Sequence, residues 1–480
     1  MPSTRFVRAY LLLVGLPLIA LLGVLGAGNW FTSGGATKHQ AALSTSVAAG
    51  APNSGALLLV MQIVVILFVA WLISEIFRRL GQPRVVGEMV AGLVLGPSLF
   101  GALASAAYTS LFPPPSLDHL NLLSQVGLTI FMFLVGLSLN SETLRHCRHA
   151  AVLTSHVSIA FPFALGAALA LYVYPALSGA GVSFVVFAVF MGAAMSITAF
   201  PVLARILAER DMIRSSTGTL AIACAAVDDV SGWCILAGIS ALVRSSKAAT
   251  PLWVTLAGSL AFVAAMLFII RPLLDRYKHV FFEEEDETQY KAITSVLLLT
   301  LGSACISELL GIHLFFGGFF AGAVMPKNRR ISTKMRDQLG PITQTLFLPL
   351  FFAFTGLRTS IALLRGPEMW SILALIIAVA VLGKMGGSTV AAHWAGIPWR
   401  DAASIGALVN TRGLMELVIL NIGLDLHIIQ PALFSMMVLM AVATTLMTSP
   451  LLNWLRGQLS SDSKLHGLFL GDEPLQRIGI

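Results

Sequence analysis

The chain has 480 residues, of which 57% are hydrophobic and only 11% charged, with a mean hydropathy of +0.85. That composition excludes a soluble globular fold and predicts an all-α polytopic membrane protein. The formal charge of +7 comes from basic residues in short loops between apolar runs, the positive-inside pattern, so it does not imply a nucleic-acid partner.

Apolar runs about a bilayer thick fall near 9–28, 55–77, 85–104, 122–140, 151–174, 182–208, 217–243, 252–274, 290–309, 312–326, 340–357, 369–394, 401–424 and 430–455. Of these, 312–326 is short for a full crossing. The first run follows the basic start Met1–Arg8 and reads either as a signal peptide or as a retained extra helix. A Gly/Ala/Ser/Thr-rich loop follows it, so residues 1–54 form a unit of their own. The transmembrane domain is expected over 55–457, with repeat halves near 55–243 and 290–457 and a linker helix at 252–274. A short tail, 458–480, is too small for a soluble domain.

Loop charge sets the expected orientation. Arg78, Arg79, Arg84, Arg210, Arg271, Arg276, Lys334 and Arg336 fall on one side, with only Lys38, Arg244, Lys247, Arg358 and Arg365 on the other. This predicts a cytoplasmic C-terminus and, with the first helix retained, an even number of spans; the expected location is the plasma (inner) membrane. Cys147, Cys224, Cys234 and Cys305 lack CxxC or Cys/His spacing and read as small hydrophobes. His313 and His393 lie near interfaces without metal-ligand spacing and read as packed or interfacial.

The two halves echo each other. Phe131–Ser138 matches Phe351–Arg358 around Gly136 and Gly356 at an offset of 351 − 131 = 220. Ala91–Pro97 resembles Ala321–Pro326 around Gly92 and Gly322 at an offset of 321 − 91 = 230. The equated spans are an odd number apart and so cross in opposite directions, which predicts inverted-topology repeats. The same relation pairs Ser196-Ile-Thr198-Ala-Phe-Pro201 with Asn410-Thr411-Arg412-Gly413, each a mid-span helix breaker beside hydroxyl groups. Matched interrupted helices of this kind point to an ion site, since freed carbonyls and Thr198 Oγ1 suit a hard cation.

Asp228 and Asp229 are adjacent carboxylates with apolar sequence on both sides. One ionised carboxylate in lipid costs roughly 2.5–3.5 kcal/mol, and two side by side repel. Such a pair belongs to a chain that binds cations or moves protons. Lys384 lies deep in its own span between glycines and needs an acidic partner. Arg412 and Glu416 are four residues apart on one helix and can satisfy each other, holding the broken helix in shape, which leaves Lys384 for the aspartate pair.

Ala225–Trp233, Gly81–Glu88, Leu95-Gly-Pro97, Ser196–Pro201 and Asn410–Leu417 together resemble the monovalent cation:proton antiporter-2 family, in the flavour of the plant cation/proton exchangers and their bacterial relatives. The likeness runs from about residue 60 to 455. It implies an inverted-repeat antiporter fold of about thirteen core helices plus the N-terminal one, with crossed, partly unwound helices and a homodimer. By the same resemblance, Asp229 is the cation-binding aspartate and Asp228 the one paired with Lys384. Ser196 and Thr198 complete the site, and Pro201, Asn410, Thr411, Arg412, Gly413 and Glu416 shape the unwound helices. The expected function is secondary exchange of Na+ or K+ for H+ by alternating access, without enzymatic chemistry or a cofactor. A sodium-coupled organic-solute symporter of related fold, or an ion channel, are the competing readings.

Overall fold

In lipid every backbone N–H and C=O must find its partner within its own segment, so long uncharged apolar runs fold as helices. The computed structural model describes residues 55–138, 149–210, 212, 215–247, 252–282, 286–310, 313–326 and 329–469, and these are nearly all helical. The expected N-terminal unit, 1–54, lies outside the described residues. Nine described helical segments are long and apolar enough to span a bilayer, with one further bent pair.

The first half comprises α1 (Gly55–Arg79), α2 (Arg84–Leu95), α3 (Pro114–Ser138), α4 (His149–Leu177), α5 (Phe184–Ser196), α6 (Phe200–Glu209) and α7 (Ser216–Lys247). The middle is α8 (Leu252–Ala265), which passes through a wide π-turn at Met266–Ile270 into α9 (Arg271–Phe282). The second half comprises α10 (Asp286–Leu309), α11 (Leu314–Ala323), α12 (Arg329–Ile342) and α13 (Leu348–Leu357). After these come α14 (Gly366–Val381), α15 (Gly387–Trp394), α16 (Trp399–Val409), α17 (Leu414–Asp425) and α18 (Pro431–Phe469). The run expected as one span at 182–208 is thus two helices, α5 and α6, and 401–424 is α16 and α17, bent by 42°.

The helices gather into two bodies. One contains α4–α7 and α14–α18, and the other contains α1–α3 and α10–α13. The linker α8–α9 touches α7 at one end and α10 at the other. Elsewhere the bodies meet sparsely. At one end of the bundle Asn421 Nδ2 donates to Thr355 Oγ1 at 2.9 Å and Arg358 Nη2 donates to Asp425 Oδ1 at 2.6 Å. Toward the other end Gln82 Nε2 donates to the Leu446 carbonyl at 3.3 Å.

The glycines of the sequence echo are where the halves interlock. A Cβ on Gly92 would lie 2.2 Å from the Phe352 carbonyl oxygen, and one on Gly356 would lie 2.0 Å from the Gly92 carbonyl carbon. A Cβ on Gly136 would lie 2.0 Å from the Phe319 oxygen, and one on Gly322 would lie 2.0 Å from the Phe133 oxygen. The first-half α2 therefore packs backbone to backbone on the second-half α13, and α3 on α11. Small residues permit this close approach, which drives helix association where lipid removes the hydrophobic effect. The two halves interlock at these glycines.

Candidate ion site at the crossing of two broken helices

The site begins with backbone that the helices leave unpaired. After Ser196 the chain turns extended, with Ile197 at φ −81° and ψ 137°. Pro201 is the second residue of α6. There its missing N–H leaves no helical carbonyl unpaired, so it starts a helix rather than kinking one. The second break, Asn410–Gly413, lies between α16 and α17. Gly413 is required there by space, because a Cβ would come 2.7 Å from Val202 Cγ2.

The two breaks cross and share hydrogen bonds. The Ala199 N–H donates to the Thr411 carbonyl at 3.0 Å. Arg412 Nη1 and Nη2 donate to the carbonyls of Ala194 and Met195 at 2.7 and 2.6 Å, covering the open C-terminal end of α5. Its own N–H donates to Thr445 Oγ1 of α18 at 3.0 Å. Glu416 sits in the first turn of α17. Cationic groups thus sit at a helix C-terminus and an anionic one at an N-terminus, as the helix dipoles favour.

Asp228 is fully buried on α7, and one of its oxygens takes three donors. Asp228 Oδ2 accepts from Lys384 Nζ at 2.6 Å, Thr198 Oγ1 at 2.6 Å and Ser158 Oγ at 2.7 Å. Its other oxygen, Oδ1, is buried with no hydrogen-bond partner among the described residues, and so is Asn410 Oδ1. Lys384 lies in a π-turn, Leu382–Gly386, between α14 and α15, and its side chain is fully buried. It also donates to the Ser158 carbonyl at 2.8 Å and, more closely, to the Ser196 carbonyl. The Ser158 hydroxyl oxygen is a fourth acceptor at 3.2 Å, so the three N–H donors of the ammonium are fully matched.

The structure brings Asp228, Thr198, Lys384 and the Ser196 carbonyl together. Ser196 enters through its backbone, while its hydroxyl donates to Ala193 O at 3.0 Å. Asn410, Thr411, Arg412 and Gly413 line the adjoining break. Arg412 Nη1 is 3.4 Å from Glu416 Oε2. The hydrogen bonds of the guanidinium nevertheless go to the α5 carbonyls rather than to Glu416. Asp229 follows Asp228 on α7, and its side chain, like that of Pro201, lies outside the described residues. Sequence reasoning missed Ser158 and Thr445, which carry neither charge nor a broken-helix motif of their own. Among the described residues no group of three or more His, Cys, Asp or Glu side chains could hold a metal ion.

The "Sodium/hydrogen exchanger, transmembrane" family pattern matches residues 63–454. The Na(+)/H(+) antiporter NhaS4 of Synechocystis is 43% identical over 400 residues, covering 82% of this chain and 96% of that protein. Cation/H(+) antiporter 17 of Arabidopsis thaliana is 37% identical over 395 residues, and K(+)/H(+) antiporter 1 of Saccharomyces cerevisiae 31% over 405. Each match covers 82% of this chain, which spans only 48% and 46% of those two longer proteins. The sodium proton antiporter MjNhaP1 of Methanocaldococcus jannaschii superposes with a TM-score of 0.58 at 12% identity, covering 85% of this chain and 98% of that one. That likeness is one of fold. The chain is an integral, multi-pass membrane protein and belongs to the sodium/hydrogen exchanger transmembrane family.

Proposed function

We propose that the protein exchanges a monovalent cation, Na+ or K+, for protons by alternating access. The observation that carries this reading is Asp228, which is buried, charge-paired and hydrogen-bonded through Oδ2 alone, with Oδ1 left without a partner among the described residues. A partly dehydrated cation is recognised by oxygen ligands. Asp229, Asp228, Thr198, Ser196 and nearby carbonyls supply them, with Lys384 as the charge partner that the cation displaces from Asp228.

Protons and cation compete for the same carboxylates. Loading one therefore unloads the other, and this competition couples the two fluxes. Because the two bodies touch sparsely, the one carrying the site can move against the other and expose the carboxylates to each side in turn. The second body exposes Val60, Val64, Phe68 and Trp71 along α1, a face suited to lipid or to a second copy in a homodimer. The reading puts the protein in a plasma (inner) membrane, and loop charge supports a cytoplasmic C-terminus. On this reading residues 55–457 form the transporting domain, between the N-terminal unit 1–54 and the tail 458–480.

The test is flux in proteoliposomes. Wild type acidifies or alkalinises the lumen when Na+ or K+ is added, and Asp229→Asn abolishes this. Cation-driven proton movement that survives Asp229→Asn overturns the assignment.

A further inference from the structure

We infer that Ser158 and Pro162 of α4 are positioning residues of the ion site. They form a berth that keeps hold of the Lys384 ammonium when a cation takes its place on Asp228. The inference rests on the exchange reading above for its functional meaning, and its observations are independent of that reading.

Within a helix each carbonyl accepts from the N–H four residues on. The residue four after Ser158 is Pro162, which lies inside α4 and is buried. Proline has no N–H, so the Ser158 carbonyl has no helical donor. A bare carbonyl buried in a membrane protein is costly. Here Lys384 Nζ fills the gap at 2.8 Å. The proline thus creates an acceptor at one point in α4, and that acceptor holds a charge contributed by another helix.

The helix bearing Lys384 is fitted to this spot. A Cβ on Gly383 would lie 3.0 Å from both Cα and Cβ of Pro162, and one on Gly387 would lie 2.7 Å from Phe161 Cδ1. Close packing on α4 and the π-turn at Leu382–Gly386 together aim the lysine at the freed carbonyl.

Of the four acceptors around Lys384, two are carbonyls in interrupted backbone, Ser158 O and Ser196 O, and a third is the Ser158 hydroxyl at 3.2 Å. A cation arriving at Asp228 removes only the carboxylate. The ammonium then keeps its Ser158 and Ser196 partners within reach instead of becoming a bare buried charge, and the cost of displacing it falls. Berth strength therefore sets apparent cation affinity, while the rate of the conformational step is untouched.

Pro162→Ala supplies the missing N–H and lets α4 reclaim the Ser158 carbonyl. In proteoliposomes of the full chain, it is expected to raise the apparent KM for the transported ion, Na+ or K+, by about threefold to tenfold, with kcat within about twofold of wild type. Ser158→Ala keeps the carbonyl and is expected to raise KM less than Pro162→Ala. Pro175→Ala removes the other proline inside α4 and is expected to leave KM within about twofold of wild type. A Pro162→Ala KM no different from that of Pro175→Ala, or a fall in kcat alone, overturns the berth.

Thermal unfolding of Pro162→Ala, Lys384→Gln and the double variant reads the berth without transport. Pro162→Ala is expected to lower Tm when Lys384 is present and not when it is Gln. Additive shifts overturn the berth. A wild type that moves no protons on cation addition overturns the exchange reading, and the thermal cycle still decides the berth.

Discussion

Breaking the Lys384–Asp228 pair from either side has a cost that follows from its burial. Both side chains have 0% exposure and their charged atoms are 2.6 Å apart. Removing one partner of a buried pair leaves an uncompensated charge and costs about 3–5 kcal/mol. In Lys384→Gln, Asp228 Oδ2 keeps the Thr198 and Ser158 hydroxyls. In Asp228→Asn, the ammonium keeps two carbonyls but no counter-charge. Removing both leaves polar, neutral groups in a polar site, so the double variant is less destabilised than the sum of the singles. With an unfolding entropy of about 2.1 cal/mol/K per residue, 480 residues lose about 1 °C of Tm per kcal/mol. Each single variant is then expected to fall by about 3–5 °C, and the double by no more than about 5 °C. Purified variants in one detergent, followed by intrinsic fluorescence on heating, give the three shifts. If the double variant falls by the sum of the singles, with a coupling below about 0.5 kcal/mol, the two residues do not form the pair described and the reasoning fails.

Gly92→Leu drives a side chain into the Phe352 carbonyl of a packed helix, and Gly356→Leu does the same from the opposite side. Either is expected to cost more than about 3 kcal/mol and to abolish a monodisperse peak in size-exclusion chromatography, whereas Gly302→Leu, which meets no atom within 4 Å, elutes as wild type. Arg412→Ala uncovers two buried α5 carbonyls and is expected to lower stability by about 2–4 kcal/mol. Arg412→Lys restores only part of this, because it lacks the two-pronged guanidinium, and thermal unfolding ranks the two variants and the wild type. Competition of H+ and cation for one set of carboxylates predicts that below the pH optimum the apparent KM for Na+ or K+ rises about tenfold per pH unit when one proton exchanges for one cation. Initial rates across a cation series at several pH values measure this, and a KM independent of pH contradicts competition.

Much of the site was legible because charge in lipid is so costly that each intramembrane ionisable residue stands out. Asp228, Asp229, Lys384, Arg412 and Glu416 are visible on that ground alone, and Lys384 and Asp228 do come together. The breaks at Ile197–Ala199 and Asn410–Gly413 were visible as proline and glycine among hydroxyls. The assignment of Arg412 to Glu416 was only half of the arrangement. The i,i+4 spacing brings them to 3.4 Å, but the guanidinium donates to Ala194 and Met195 of another helix. Helical spacing specifies neighbours along one segment and is silent about acceptors exposed by the break in a second one.

Composition and hydropathy by themselves determined a multi-pass helical protein, since bilayer thickness and backbone satisfaction allow little else for such a sequence, and the glycine echo marked where helices of its two halves pack. Tertiary structure decided which partners the buried charges take. Ser158 is a plain serine in an apolar run, and nothing local marks its carbonyl as an ion partner. It becomes one because Pro162 leaves that carbonyl unpaired and glycines bring Lys384 close enough to use it. Segments more than two hundred residues apart had to meet before that carbonyl, or the single bare oxygen of Asp228, acquired its chemistry.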